Sequence, residues 1–143
     1  MEWAALIAWV VTALFGFVML AIWLRRGGMQ QRESGRIRPV LILSHFLIAA
    51  GGLVLWIVYV VSDTDALAWV AFVALVVVAL LGWTMFFIWL KQRQTGAQQA
   101  QPATAPMGGP AERGFPVPVV ALHGVAAVTT VILVLLSALD IGG

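Results

Sequence analysis

The stretch Leu80-Leu81-Gly82-Trp83-Thr84-Met85-Phe86-Phe87-Ile88-Trp89-Leu90-Lys91 decides the fold of this chain. It closes an apolar run that starts at Ala66 and holds no Asp, Glu, Lys or Arg before Lys91. At about 1.5 Å of rise per residue, roughly 20 helical residues cross a hydrocarbon core of about 30 Å. This run is long enough. Three others resemble it: Trp3 to Leu24, Val40 to Val61 entered through Pro39, and Val117 to Leu139. Membrane strands would be shorter and would alternate, so each run reads as a helix. With 62% hydrophobic and 10% charged residues, the chain lacks the surface that keeps a soluble domain in solution. The first run has no basic residue before it and no small-residue cleavage motif after it, so it reads as a helix and not a signal peptide.

The same twelve-residue pattern occurs earlier, as Leu14-Phe15-Gly16-Phe17-Val18-Met19-Leu20-Ala21-Ile22-Trp23-Leu24-Arg25. Leu, Gly, Met, Ile, Trp and Leu coincide, and a base follows each copy. The second and fourth runs align more weakly, with Pro39, His45, Ala49, Ala50 and Leu55 facing Pro118, His123, Ala126, Ala127 and Leu133. The expected fold is therefore an all-α membrane protein. Its four-helix transmembrane bundle would be built from a duplicated two-helix hairpin about a pseudo-twofold axis along the membrane normal. The first hairpin covers 1–61, with spans 3–24 and 39–61. The second covers 62–143, with spans 66–90 and 117–139 and a flexible cytoplasmic loop over 91–115. The short connection Ser62 to Asp65 makes the second and third helices antiparallel neighbours.

All eight basic residues fall in the two long loops: Arg25, Arg26, Arg32, Arg36 and Arg38 in the first, Lys91, Arg93 and Arg113 in the second. Glu2, Asp63, Asp65 and Asp140 lie at the opposite end. The positive-inside rule then puts both long loops in the cytoplasm and both termini outside. The net charge of +2 is a topology signal and gives no reason to expect nucleic-acid binding. The Ala, Val, Leu and Arg usage suggests a bacterial inner membrane.

The chain has no cysteine, which excludes disulfides, thiolate chemistry and iron–sulfur clusters. No paired carboxylate, nucleophile–base pair or phosphate loop is visible, so an electron carrier or cofactor-binding protein is expected before a stand-alone enzyme. The chemistry rests on His45 and His123, the only two histidines. They are equivalent in the repeat, and each lies about 10 Å inside the cytoplasmic boundary. Two imidazoles facing one another across a bundle can hold a haem iron from both sides. Small residues beside them would make room: Ala49 and Gly52 on the second helix, Ala127 on the fourth, Gly16 and Gly82 on the first and third. Arg36, Arg38 and Arg113 are candidate partners for propionates. Each histidine's other nitrogen would donate to a carbonyl one turn back, at Leu41 or Val119. Met19 and Met85, also equivalent in the repeat, leave open a copper site of two histidines and two methionines. Trp3, Trp23, Trp69 and Trp89, near span ends, read as interface anchors.

Four spans with histidines on two helices resemble the b-type cytochrome class, which includes cytochrome b561-like proteins and the haem anchors of membrane dehydrogenases. The resemblance covers architecture and ligand type across all four helices. It implies one haem b with His45 and His123 as axial ligands, and a lipid bilayer with quinone or a redox protein as partners. The role it implies is electron transfer or haem handling. A b561-type protein carries a second histidine pair near the other surface. Here Tyr59 and Ser137 stand in those places, so one haem is the expectation. The competing expectation is a cofactor-free accessory subunit whose histidines only join helices.

Overall fold

A computed structural model describes residues 1–30, 37–98 and 110–140. Among the described residues there are four α-helices: α1 Glu2–Arg25, α2 Pro39–Ser62, α3 Asp65–Gln98 and α4 Val117–Ala138. There is no strand among the described residues. Each helix is long and apolar enough to cross a membrane. The outer surface is correspondingly apolar, with Ile7, Leu47, Val61 and Val125 all more than 60% exposed. In lipid this is the stable arrangement, because acyl chains solvate such side chains as well as a protein core does.

Start and stop signals explain the helix ends. Pro39 sits at the first helical position of α2, and α4 carries a proline in its first turn, where a missing N–H costs no hydrogen bond. α2 stops at Asp63, whose left-handed backbone (φ 52°) turns the chain and lets its N–H bond the Tyr59 carbonyl at 2.8 Å. The next helix starts two residues later, at Asp65.

The helices pack α1 on α4 and α2 on α3, and α3–α4 and a thinner α1–α2 contact close the ring. Helices of different sequence halves therefore make the closest pairs. The side chains are buried in two separate zones. One is an outer core of Ala5, Trp9, Trp56, Tyr59, Ala68, Ala71, Leu75 and Val134. The other is a cap at the basic end, with Trp23, Ile37, Trp89, Ala111 and Glu112.

The cap corrects two expectations. The loop expected from 91 begins as helix, since α3 runs on to Gln98. Lys, Gln and Arg are good helix formers, and nothing at Lys91 ends the hydrogen-bond ladder. The loop then closes with the short 3-10 turn Ala111–Gly114, which packs on α1 and α3. Residues 99–109 lie outside the described residues. Trp23 and Trp89, expected at the lipid interface, are only 0% and 5% exposed and form the inner wall of this cap. Trp3 and Trp69 do face outward, at 65% and 42% exposed.

Candidate functional site

Between the outer core and the cap lies a layer that contains both histidines. His45 comes from α2 and His123 from α4, and their ring centroids are 6.3 Å apart with the planes inclined at 54°. Two imidazoles sharing a direct hydrogen bond would have centroids about 5 Å apart, so these rings are neighbours without a direct bond between them.

Each ring is held by a neighbouring helix. His45 Nδ1 lies 3.0 Å from the carbonyl oxygen of Val78 on α3. His123 Nδ1 lies 3.0 Å from the carbonyl oxygen of Thr12 on α1. A carbonyl can only accept, so each Nδ1 carries the hydrogen and donates it. Each Nε2 is then a free lone pair, the form of imidazole that ligates a metal. The expected carbonyls, Leu41 and Val119, are not the partners. All four carbonyls accept a bond within their own helix, but at Val78 and Thr12 a glycine one turn on leaves the second lone pair of the oxygen open to a ring from the facing helix.

Gly82 and Gly16 are those glycines. Each stands one helical turn after the carbonyl that is used, at Val78 and Thr12. A Cβ on Gly82 would come within 3.3 Å of His45 Cε1, and a Cβ on Gly16 within 3.3 Å of His123 Cε1. The missing side chains let each ring lie against the backbone and reach the carbonyl. Both glycines therefore belong to the site, as seats for the imidazoles.

The remaining expected residues divide. Ala49 and Ala127 are half-buried on the histidine faces of α2 and α4. Gly52 belongs to the outer core, where a Cβ would meet the Trp9 indole at 3.1 Å. Arg38 and Arg113 are exposed at the cap end, and Arg36 lies outside the described residues. Met19 and Met85 are half-buried. Further along the faces of the histidines, Trp56 and Tyr59 on α2 and Thr130, Val134 and Ser137 on α4 are all buried. Thr12 and Thr130 hydroxyls meet at 3.1 Å and tie α1 to α4 beside the histidine layer. Sequence reasoning missed Glu112, which is fully buried in the cap. A single acid between Pro110 and Pro116 in a basic loop was its one visible signal.

Among the described residues no three His, Cys, Asp or Glu side chains cluster as a metal site. The histidine pair supplies two nitrogen donors and no more protein ligands of that kind. No protein-family model matches the chain, and searches of curated proteins and of solved structures return no match.

Proposed function

We propose that this chain is a small integral-membrane b-type cytochrome that binds one haem b between His45 and His123. The spacing of the two rings carries the reading. A first-row metal bonds imidazole nitrogen at about 2.0–2.1 Å, and the nitrogen is about 1.1 Å from its ring centre. Two rings opposed on one ion therefore have centroids roughly 6.3 Å apart. The observed separation is 6.3 Å. In both rings the Nδ1–H tautomer leaves Nε2 free, and a backbone carbonyl that accepts from the other ring nitrogen is a usual outer partner of a ligating histidine.

The donor set also fits. Two imidazoles alone underfill a metal, and a porphyrin brings the other four nitrogens itself. Haem iron in such a site supplies one-electron chemistry at a potential set by its axial ligands and by burial. The chain's own work is to hold both rings, keep them neutral donors and shield them from water. Arg36, Arg38 and Arg113 are the candidate partners for propionates.

We read the site as the product of an internal duplication. Thr12, Gly16 and Trp23 of α1 play the parts of Val78, Gly82 and Trp89 of α3, at a constant offset in sequence. The basic cap belongs on the cytoplasmic side of a bacterial inner membrane, with both termini outside.

A second reading has its own support. Each Nδ1 bond joins two helices, as the histidines of a cofactor-free accessory subunit would. That role uses Nδ1 alone and gives no reason for the two rings to meet. The discriminating experiment is purification from cells supplied with haem, followed by an absorption spectrum and a haem-to-protein ratio. The account expects a Soret band, sharpened α and β bands on reduction, and one haem per chain. A colourless preparation would favour the accessory reading, and bound copper without haem would favour the sulfur-containing site.

A further inference from the structure

The cap holds a carboxylate that the histidine site does not use. Glu112 is 0% exposed. Its Oε1 accepts two hydrogen bonds, from the Ile37 backbone N–H at 2.9 Å and from Gln92 Nε2 at 2.8 Å. Its Oε2 is buried with no hydrogen-bond partner among the described residues. The turn that carries Glu112 packs on α1 and α3. Among the described residues the charged groups on and beside these elements are Arg25 at the end of α1 and Arg26 just after it, Lys91 and Arg93 on α3, Arg38 ahead of α2, and Arg113 in the turn itself. All six are exposed. Arg26 lies over Gly114 and Arg93 over the Trp89 ring, and none of the six pairs with Glu112.

This geometry leaves one place for a proton. Both groups on Oε1 are N–H donors, so Oε1 accepts whether the carboxyl is charged or neutral. A proton enters at Oε2. A buried carboxylate with no paired cation among the described residues is sensitive to any new negative charge nearby, because little water screens the pair. The histidine layer is close. His123 stands roughly 9 Å along α4 from Val117, and the turn lies just ahead of that helix.

We propose that Glu112 is the proton acceptor of the redox site. The inference rests on the haem reading above. With haem held between His45 and His123, a one-electron donor would pass its electron to the site. Up to about half a proton per electron would then pass from cytoplasmic water to an O–H bond at Glu112 Oε2. The donor is oxidised, the site is reduced, and the proton taken up offsets part of the negative charge that the electron adds. At on the order of 12 Å and an effective dielectric of about 20, one unit charge alters the reduction equilibrium roughly tenfold.

The test is a redox titration of the haem-loaded chain in nanodiscs across a range of pH. The wild-type equilibrium constant should change up to about tenfold as Glu112 passes from neutral to charged. Glu112→Gln keeps an acceptor for Ile37 and Gln92 and should make this change disappear. Infrared difference spectra on reduction should show a carboxyl C=O band in the wild type and none in Glu112→Gln. A wild-type equilibrium independent of pH, or a Glu112→Gln protein that behaves like the wild type, overturns the proposal while the haem reading stands. A colourless preparation removes the haem reading first, before any potential is measured.

Discussion

Replacing Gly82 by valine tests the seat of His45 directly. A Cβ at this position already lies 3.3 Å from His45 Cε1, closer than ordinary van der Waals contact. The valine methyls reach about 1.5 Å further, and the β-branched side chain has few rotamers with which to avoid the ring. The ring must leave, and its bond to the Val78 carbonyl, 3.0 Å long in the native chain, breaks. Loss of such an outer partner typically lowers metal affinity by about 10–100-fold. That range corresponds to roughly 1.4–2.7 kcal/mol. The assay is titration of the haem-free chain in nanodiscs, followed at the Soret band. Gly51→Val on α2 is the control, since nothing lies within 4 Å of its Cβ. Gly82→Ala should show a smaller loss, because its single methyl asks the ring to yield by only a few tenths of an ångström. Gly16→Val should match Gly82→Val through His123. Native haem affinity in Gly82→Val, with the fold intact, would refute the reasoning that the glycine seats the ligand.

Other outcomes follow from the packing. Trp56→Ala removes a side chain that is 0% exposed and should cost about 3–5 kcal/mol, measured by denaturant titration in mixed micelles. Gly28→Ala drives a methyl into the Trp23 indole and should destabilise the cap by about 1–3 kcal/mol, seen as faster proteolysis at the basic end. A double-mutant cycle on Thr12→Val and Thr130→Val should give a coupling near 0.6 kcal/mol and leave haem binding unchanged, because the Thr12 carbonyl is retained. The chain has no native cysteine, so single cysteines report topology cleanly. Asp140→Cys in intact cells should react with an impermeant maleimide and Arg113→Cys should not; the reverse pattern would invert the orientation.

Hydropathy made the helices legible. A span without charge leaves no alternative in lipid, and the observed α1, α2 and α4 start and stop within a residue or so of the apolar runs. The inward faces were legible too. One stripe at helical spacing from His45 leads through Gly52 and Trp56 to Tyr59, and one from His123 leads through Thr130 and Val134 to Ser137. What stayed hidden depends on contacts between distant segments. Gln92 looks like linker, yet it is helical and bonds a residue twenty positions away. Glu112 carries no periodic signal, because a four-residue turn between prolines has none; its burial comes from α1 and α3 folding around it. The carbonyl partners of the histidines depend on which helices are neighbours. Loop lengths fix only that α2 and α3 are adjacent, and the α1–α4 pairing had no counterpart in the sequence.

The most direct test of the account is near-infrared magnetic circular dichroism of the purified, haem-loaded chain. It reports the identity of both axial ligands in the oxidised state. The account predicts the signature of two neutral imidazoles, lost on either His45→Ala or His123→Ala. A histidine–methionine signature, or an unchanged spectrum in either variant, would contradict it.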